Sequence, residues 1–202
     1  MKPLWLAAVT LVGLLAACAS PSPAPVLLTL PPASIAAAAA AAPAPSASMP
    51  TIAVRRVAIP EYLVARRVRF RADAATLAEW PNTYWAERVE IGVTREFVSA
   101  LRAQLPGWTL CEATCGEQSS AHGLQVDVVP LDYLRTERKL LARARLTLVD
   151  TAGSPPRVLR SDEKAYEISA SADTAQAQAQ AIATLIGRIA IDAAALVKAA
   201  KP

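Results

Sequence analysis

Apolar residues recur at four-residue spacing through Val89, Val93, Phe97, Leu101 and Leu105. That period makes one stripe on a helix, predicted from about Ala86 to Leu105 and stopped by Pro106-Gly107. A second stripe, Ile182, Leu185, Ile186, Ile189 and Leu196, predicts a long closing helix over roughly Thr174–Ala199. Gln176, Gln178, Gln180, Arg188 and Lys198 lie largely off that stripe. Elsewhere the period is two. Arg67, Arg69 and Arg71 alternate with Val68 and Phe70. Leu124, Val126 and Val128 alternate with Gln125 and Asp127, and Ala142, Ala144, Leu146 and Leu148 alternate with Arg143, Arg145 and Thr147. Val158–Ser169 is a further strand candidate with a polar middle, reached through a turn at Asp150–Pro156 that holds Gly153 and two prolines. Ile52–Ile59 reads as a strand ended by Pro60, and Trp80–Trp85 as a polar, aromatic lead into the first helix.

The order is strands, helix, strands, helix. Consecutive strands after Gly123 favour hairpins, so the predicted fold is α+β, a mainly antiparallel sheet with two long helices packed on one face. The periodic patterns occupy residues 51–199 as one domain.

What precedes that domain is different in kind. A basic start at Lys2 is followed by an apolar run from Leu4 to Leu15. A membrane span needs about 20 apolar residues, and this run is shorter, as in a secretory signal. It ends in Leu15-Ala16-Ala17-Cys18. That tetrapeptide resembles a bacterial lipobox, in which the cysteine receives diacylglycerol, becomes the new N-terminus after cleavage and then takes an N-acyl chain. Residues 1–17 are therefore read as a lipoprotein signal peptide and Cys18 as the lipid anchor. Two or three chains hold a protein firmly to a bilayer, whereas one binds marginally. Ala19, where some bacteria use Asp to retain lipoproteins at the inner membrane, points to the outer membrane, facing the periplasm. Residues 18–50 follow as a linker of Pro, Ala and Ser, which favours extended backbone. Within it, Val26–Leu30 is apolar enough for a short strand docked on the domain; docked strand and plain linker are both open.

The net charge of +4 falls to +3 with the loss of Lys2. So mild an excess does not call for nucleic acid. At 5% aromatic residues, the chain has little material for stacking on bases or sugars.

Catalytic equipment is sparse. The single histidine, His122, sits in a loop-like Ser-Ser-Ala-His-Gly, and no nucleophile elbow or glycine-rich phosphate loop is present. The chain is read as a non-enzyme that needs neither a metal nor a dissociable cofactor. Cys111 and Cys115 remain once Cys18 is assigned to lipid. In an oxidising compartment such a pair is most simply a disulfide. A site using both thiols and His122 lacks an evident fourth ligand, and free thiols are the third alternative. Arg67, Arg69, Arg71, Arg143 and Arg145 belong to a basic face, either simply solvated or a surface for anionic headgroups or an acidic partner.

Ile59-Pro60-Glu61-Tyr62-Leu63, then Tyr84-Trp85-Ala86-Glu87-Arg88, then a helix ending Gln104-Leu105-Pro106, together resemble the ABC-type transport auxiliary lipoproteins, the PqiC/YmbA-like family. The resemblance covers most of the mature chain. It departs at the weak first strand and at the Cys111–Cys115 loop. It implies a non-enzymatic part of an envelope lipid-transport system, docking or capping a periplasm-spanning MCE-domain assembly at the outer membrane and supporting membrane integrity. It also makes Trp85, Glu87 and Arg88 candidate partner-binding residues, although a tryptophan at a helix start is often core. The implied partners are the MCE-domain protein, outer-membrane phospholipids and further copies of this chain in a ring. The alternative is a lipid-binding carrier that holds an acyl chain between sheet and helices, which needs a pocket of several hundred Å³.

Overall fold

The computed structural model describes residues 23–33, 50–112, 115, 120 and 122–200. The signal segment, Cys18 and most of the Pro/Ala linker lie outside them. The elements are β1 (Val26–Leu28), β2 (Thr51–Val54), a 3₁₀ turn (Glu61–Leu63), β3 (Arg67–Arg71), β4 (Leu77–Trp85), α1 (Val89–Gln104), β5 (Thr109–Glu112), β6 (His122–Leu134), β7 (Lys139–Asp150), β8 (Arg157–Ser169) and α2 (Ala175–Ala199).

The fold is α+β, and its one eight-stranded sheet is mixed rather than mainly antiparallel. β6, β7 and β8 form the expected antiparallel hairpins. β2, however, runs parallel to both β5 and β6, β1 runs parallel to β4, and β3 meets β6 in parallel at Arg71 and Leu134. Short turns join antiparallel neighbours, whereas parallel neighbours need long crossovers. Short connections make hairpins of the C-terminal strands. It does not extend to β2 and β5, which have β3, β4 and α1 between them in the chain.

β6 organises the sheet. One of its edges carries β7 along its full length. Its other edge is shared, with β2 beside His122–Leu124 and β3 beside Leu134. Between these halves the register with β7 shifts, between Val128 and Leu131, and Pro130 sits in the shift after a cis peptide. Proline cannot donate to a ladder, so a bulge is where it is tolerated. Two wings, β2–β5 and β3–β4–β1, thus spread from one long strand.

The core lies between the sheet and the two helices. Leu124, Val126, Val128, Leu131 and Tyr133 of β6 and Leu140, Ala142, Ala144, Leu146 and Leu148 of β7 are buried, whereas Asp127, Arg143 and Arg145 on the other face are exposed. Every stripe residue predicted on the helices is buried. Ala179, Ala183, Ala190, Ala193 and Ala194 of α2 are also buried, so the alanines permit close packing instead of leaving space. α2 is long and apolar enough to cross a membrane, but 67% of its most apolar window is buried, as in a core helix. Thr174 caps it, its hydroxyl accepting from the Ala177 N–H.

Two local expectations change. The passage Trp80–Trp85 is part of strand β4, with a break in its register against β3 that accommodates Pro81 and Asn82, the latter at φ 48°. The predicted strand Ile52–Ile59 is regular only to Val54, after which Ala58 alone bridges to Asp127.

Candidate functional site

The family-like residues converge where β4 turns into α1. The Trp85 N–H donates to the Arg66 carbonyl at 2.7 Å, and the Ala86 N–H to the Leu28 carbonyl at 2.8 Å. Trp85 is 5% exposed and packs in the core, so its indole supports the surface from beneath. Glu87 grips Arg95 two turns along the helix, with each carboxylate oxygen 2.8 Å from a guanidinium nitrogen. The Arg95 hydrogen bonds hold the Glu87 carboxyl below its ordinary pKa, and the same contacts push the Arg95 pKa up. Gly92 sits under this pair: a Cβ there would lie 3.2 Å from Glu87 Oε1 and 3.3 Å from Leu30 Cδ1. The Ala33 N–H reaches Glu96 at 3.4 Å. Residues after β1 are thereby tied to the first turns of α1.

Arg88 is the N-cap of α1 and offers no side-chain cap hydrogen bond. Its guanidinium, on a side chain 63% exposed, lies against Glu90 Oε1. Hydrogen-bond geometry is not met, and neither Glu90 oxygen accepts a hydrogen bond, although the residue is only 5% exposed. Glu90 lines a cleft of about 260 Å³ together with Val64, Ala65, Arg66, Trp85 and Arg88. Periodicity gave no warning of this residue, because Glu90 neighbours Val89 in the first turn and reads as an ordinary helix-start acid.

Sequence reasoning also missed Gln178. The periodicity puts it off the α2 stripe, but it is 3% exposed. Its side-chain oxygen accepts from Trp80 Nε1 at 2.7 Å, and its amide donates to the Arg69 carbonyl at 2.7 Å. The only available signal was that a buried Trp80 needs an acceptor. Beside it, Ile59, Leu63, Arg69, Trp85, Tyr133 and Ile182 help enclose a space of about 10 Å³.

The arginines of the basic face are paired. Arg67 and Arg69 lie 3.4 and 3.3 Å from Glu79, and Arg71 lies 3.0 Å from Asp132. Arg143 and Arg145 share Glu163 at 3.4 and 2.9 Å. Hydrogen bonding from Arg145 leads in lowering the Glu163 pKa. The face is a ladder of ion pairs rather than a free positive field.

Cys111, in β5, and Cys115 are placed in disulfide contact, with Cα atoms 5.2 Å apart. His122 is not in a loop: it opens β6, opposite Ile52 and Asp150, with its Nδ1 buried and unpartnered. No group of three or more metal-ligating side chains is found among the described residues.

The sequence model for the ABC-type transport auxiliary lipoprotein component matches residues 29–194. Among curated proteins none matches. Among the solved structures that share the fold are two of similar extent. One, of an uncharacterised protein, has a TM-score of 0.67 at 17% identity, covering 87% of this chain and 99% of its own. The other, a Xanthomonas campestris protein of the DUF330 family, has a TM-score of 0.60 at 15% identity, covering 77% and 90%.

Proposed function

Because the chain belongs to the ABC-type transport auxiliary lipoprotein family, we propose that it is the lipid-anchored, periplasm-facing subunit of an MCE/ABC-type lipid-transport system at the outer membrane. The family is one of transport auxiliaries, not enzymes. In this reading Cys18 carries the diacylglycerol and N-acyl chains, residues 18–50 span from bilayer to domain, and the domain docks or caps an MCE-domain assembly, in several copies arranged as a ring. The Cys111–Cys115 disulfide stiffens the loop after β5.

The observation that carries the proposal is the family match across nearly the whole domain. The tight packing beside Trp85 and Tyr133 favours docking over storage. An acyl-chain carrier needs several hundred Å³, and the space between sheet and helices beside Trp85 and Tyr133 is about 10 Å³.

Affinity purification of the full-length protein from native membranes tests the reading. An MCE-domain protein is expected in the eluate and in the outer-membrane fraction. Recovery of this chain from that fraction with no MCE-domain protein, after mild crosslinking, would sink it.

A further inference from the structure

The cleft at the start of α1 has charges of both signs in a fixed arrangement. Arg66 and Arg88 are exposed at it, and Glu90 is buried in it, in ion contact with Arg88 but with no hydrogen bond to either oxygen. No side chain caps the α1 terminus; the Arg88 carbonyl accepts from the Ile91 and Gly92 N–H groups at 3.0 and 3.3 Å. Val64, Ala65, Trp85, Ala86 and Val89 make the rest of the lining mostly apolar, and the remaining acid, Glu87, is neutralised by Arg95.

An anion alone does not explain the buried carboxylate, and a cation alone does not explain two arginines at an uncapped helix start. A ligand with a phosphate and a primary ammonium a few bonds apart satisfies both. We propose that this cleft binds the phosphoethanolamine headgroup of a phospholipid. The phosphate meets Arg66, Arg88 and the helix terminus, which suit phosphate by charge, planar donor geometry and dipole. The ammonium donates to Glu90, which lacks hydrogen bonds in the free protein. Arg88 then leaves Glu90 for the phosphate. The volume of about 260 Å³ suits a headgroup rather than a whole lipid. The apolar lining takes the glycerol end. That the headgroup belongs to a lipid rests on the transport reading above, while the headgroup chemistry does not.

The test is calorimetric titration of the full-length lipidated protein in detergent micelles with short-chain phosphatidylethanolamine, phosphatidylglycerol and phosphatidylcholine. Phosphatidylethanolamine is expected to bind at least tenfold more tightly than the other two. Phosphatidylglycerol lacks the cation, and the quaternary ammonium of phosphatidylcholine cannot donate. Glu90→Gln should abolish that preference with an unchanged circular-dichroism spectrum. Arg66→Gln, at an exposed position, should weaken phosphatidylethanolamine and phosphatidylglycerol alike. Equal binding of all three lipids, or a preference that survives Glu90→Gln, would overturn the proposal. Soluble glycerophosphoethanolamine binding as tightly as the lipid would overturn the lipid source. Retention of the MCE-domain protein by Glu90→Gln is scored separately, so loss of headgroup preference and loss of docking are distinguishable.

Discussion

Gln178 and Glu87 show how single side chains hold this molecule. Gln178 joins α2 to β4 and β3 through two buried hydrogen bonds. Gln178→Leu keeps the volume but strands the Trp80 indole N–H and the Arg69 carbonyl. It is expected to cost about 2–4 kcal/mol, since each orphaned buried group costs about 1–3 kcal/mol; urea unfolding measures it. Glu87→Gln should cost less, about 0.5–1 kcal/mol, because its pair with Arg95 is partly exposed. The pH dependence has a definite sign. The folded Glu87 pKa is depressed, so its stabilisation is present above the unfolded value, about 4.3, and is lost as pH falls through the folded one. The stability gap between wild type and Glu87→Gln should therefore shrink on acidification below about pH 4.5. A gap that stays constant down to pH 2 would contradict the pair. Tyr166 moves the other way. Burial first, and then its hydrogen bond to Asp192, raise its pKa. Its contribution is present below the unfolded value, about 10, and is lost as alkali ionises it.

At the scale of elements, what could be read depended on whether a pattern was local. Val89 to Leu105 and Ile182 to Leu196 announced their helices because a four-residue period is a property of one segment. The β6–β8 hairpins were legible for the same reason. The parallel pairs β2–β5 and β1–β4 were not, because alternation fixes faces and says nothing of the neighbour. β4 was obscured by Pro81 and Asn82, which read as a loop until the break in register between β3 and β4 is seen to accommodate them. At the candidate site, the motif Trp85-Ala86-Glu87-Arg88 was visible, but its division of labour was not. Burial alone separates Trp85 in the core from Arg88 at the surface. β1 depends on few contacts, chiefly buried Leu28 and nearby Leu30. Leu30→Ala is expected to cost about 2–4 kcal/mol, with hydrogen exchange rising first at Ala86, whose N–H donates to the Leu28 carbonyl. Uniform exchange across the domain would show that β1 is not a separable unit.

For the whole molecule, closure matters most. Among the described residues the space between sheet and helices beside Trp85 and Tyr133 is small, and the arginines of β3 and β7 are matched with acids. The loop closed by Cys111 and Cys115 is short, and a bridge of that span contributes about 2 kcal/mol in the chain-entropy picture. Reduction should lower the denaturation midpoint modestly, leave the circular-dichroism spectrum intact, and add two alkylation tags by mass. Spontaneous alkylation without reductant would mean the thiols are free. Cys18→Ser is expected to leave the signal segment uncut and the chain without lipid, as intact mass would show.

β1 also has a mechanical meaning. It is the first described strand after Cys18, it is three residues long, and it is held to the sheet only through β4. A pull applied at Cys18 would load this strand before any other. If β1 peels away and the contacts of Leu30 and Ala33 with α1 give as well, the chain between Leu28 and Thr51 can pay out as much as about 75 Å before β2 takes the strain. An anchored domain of this design would hold station at rest and lengthen its leash under tension, with the remainder of the sheet intact.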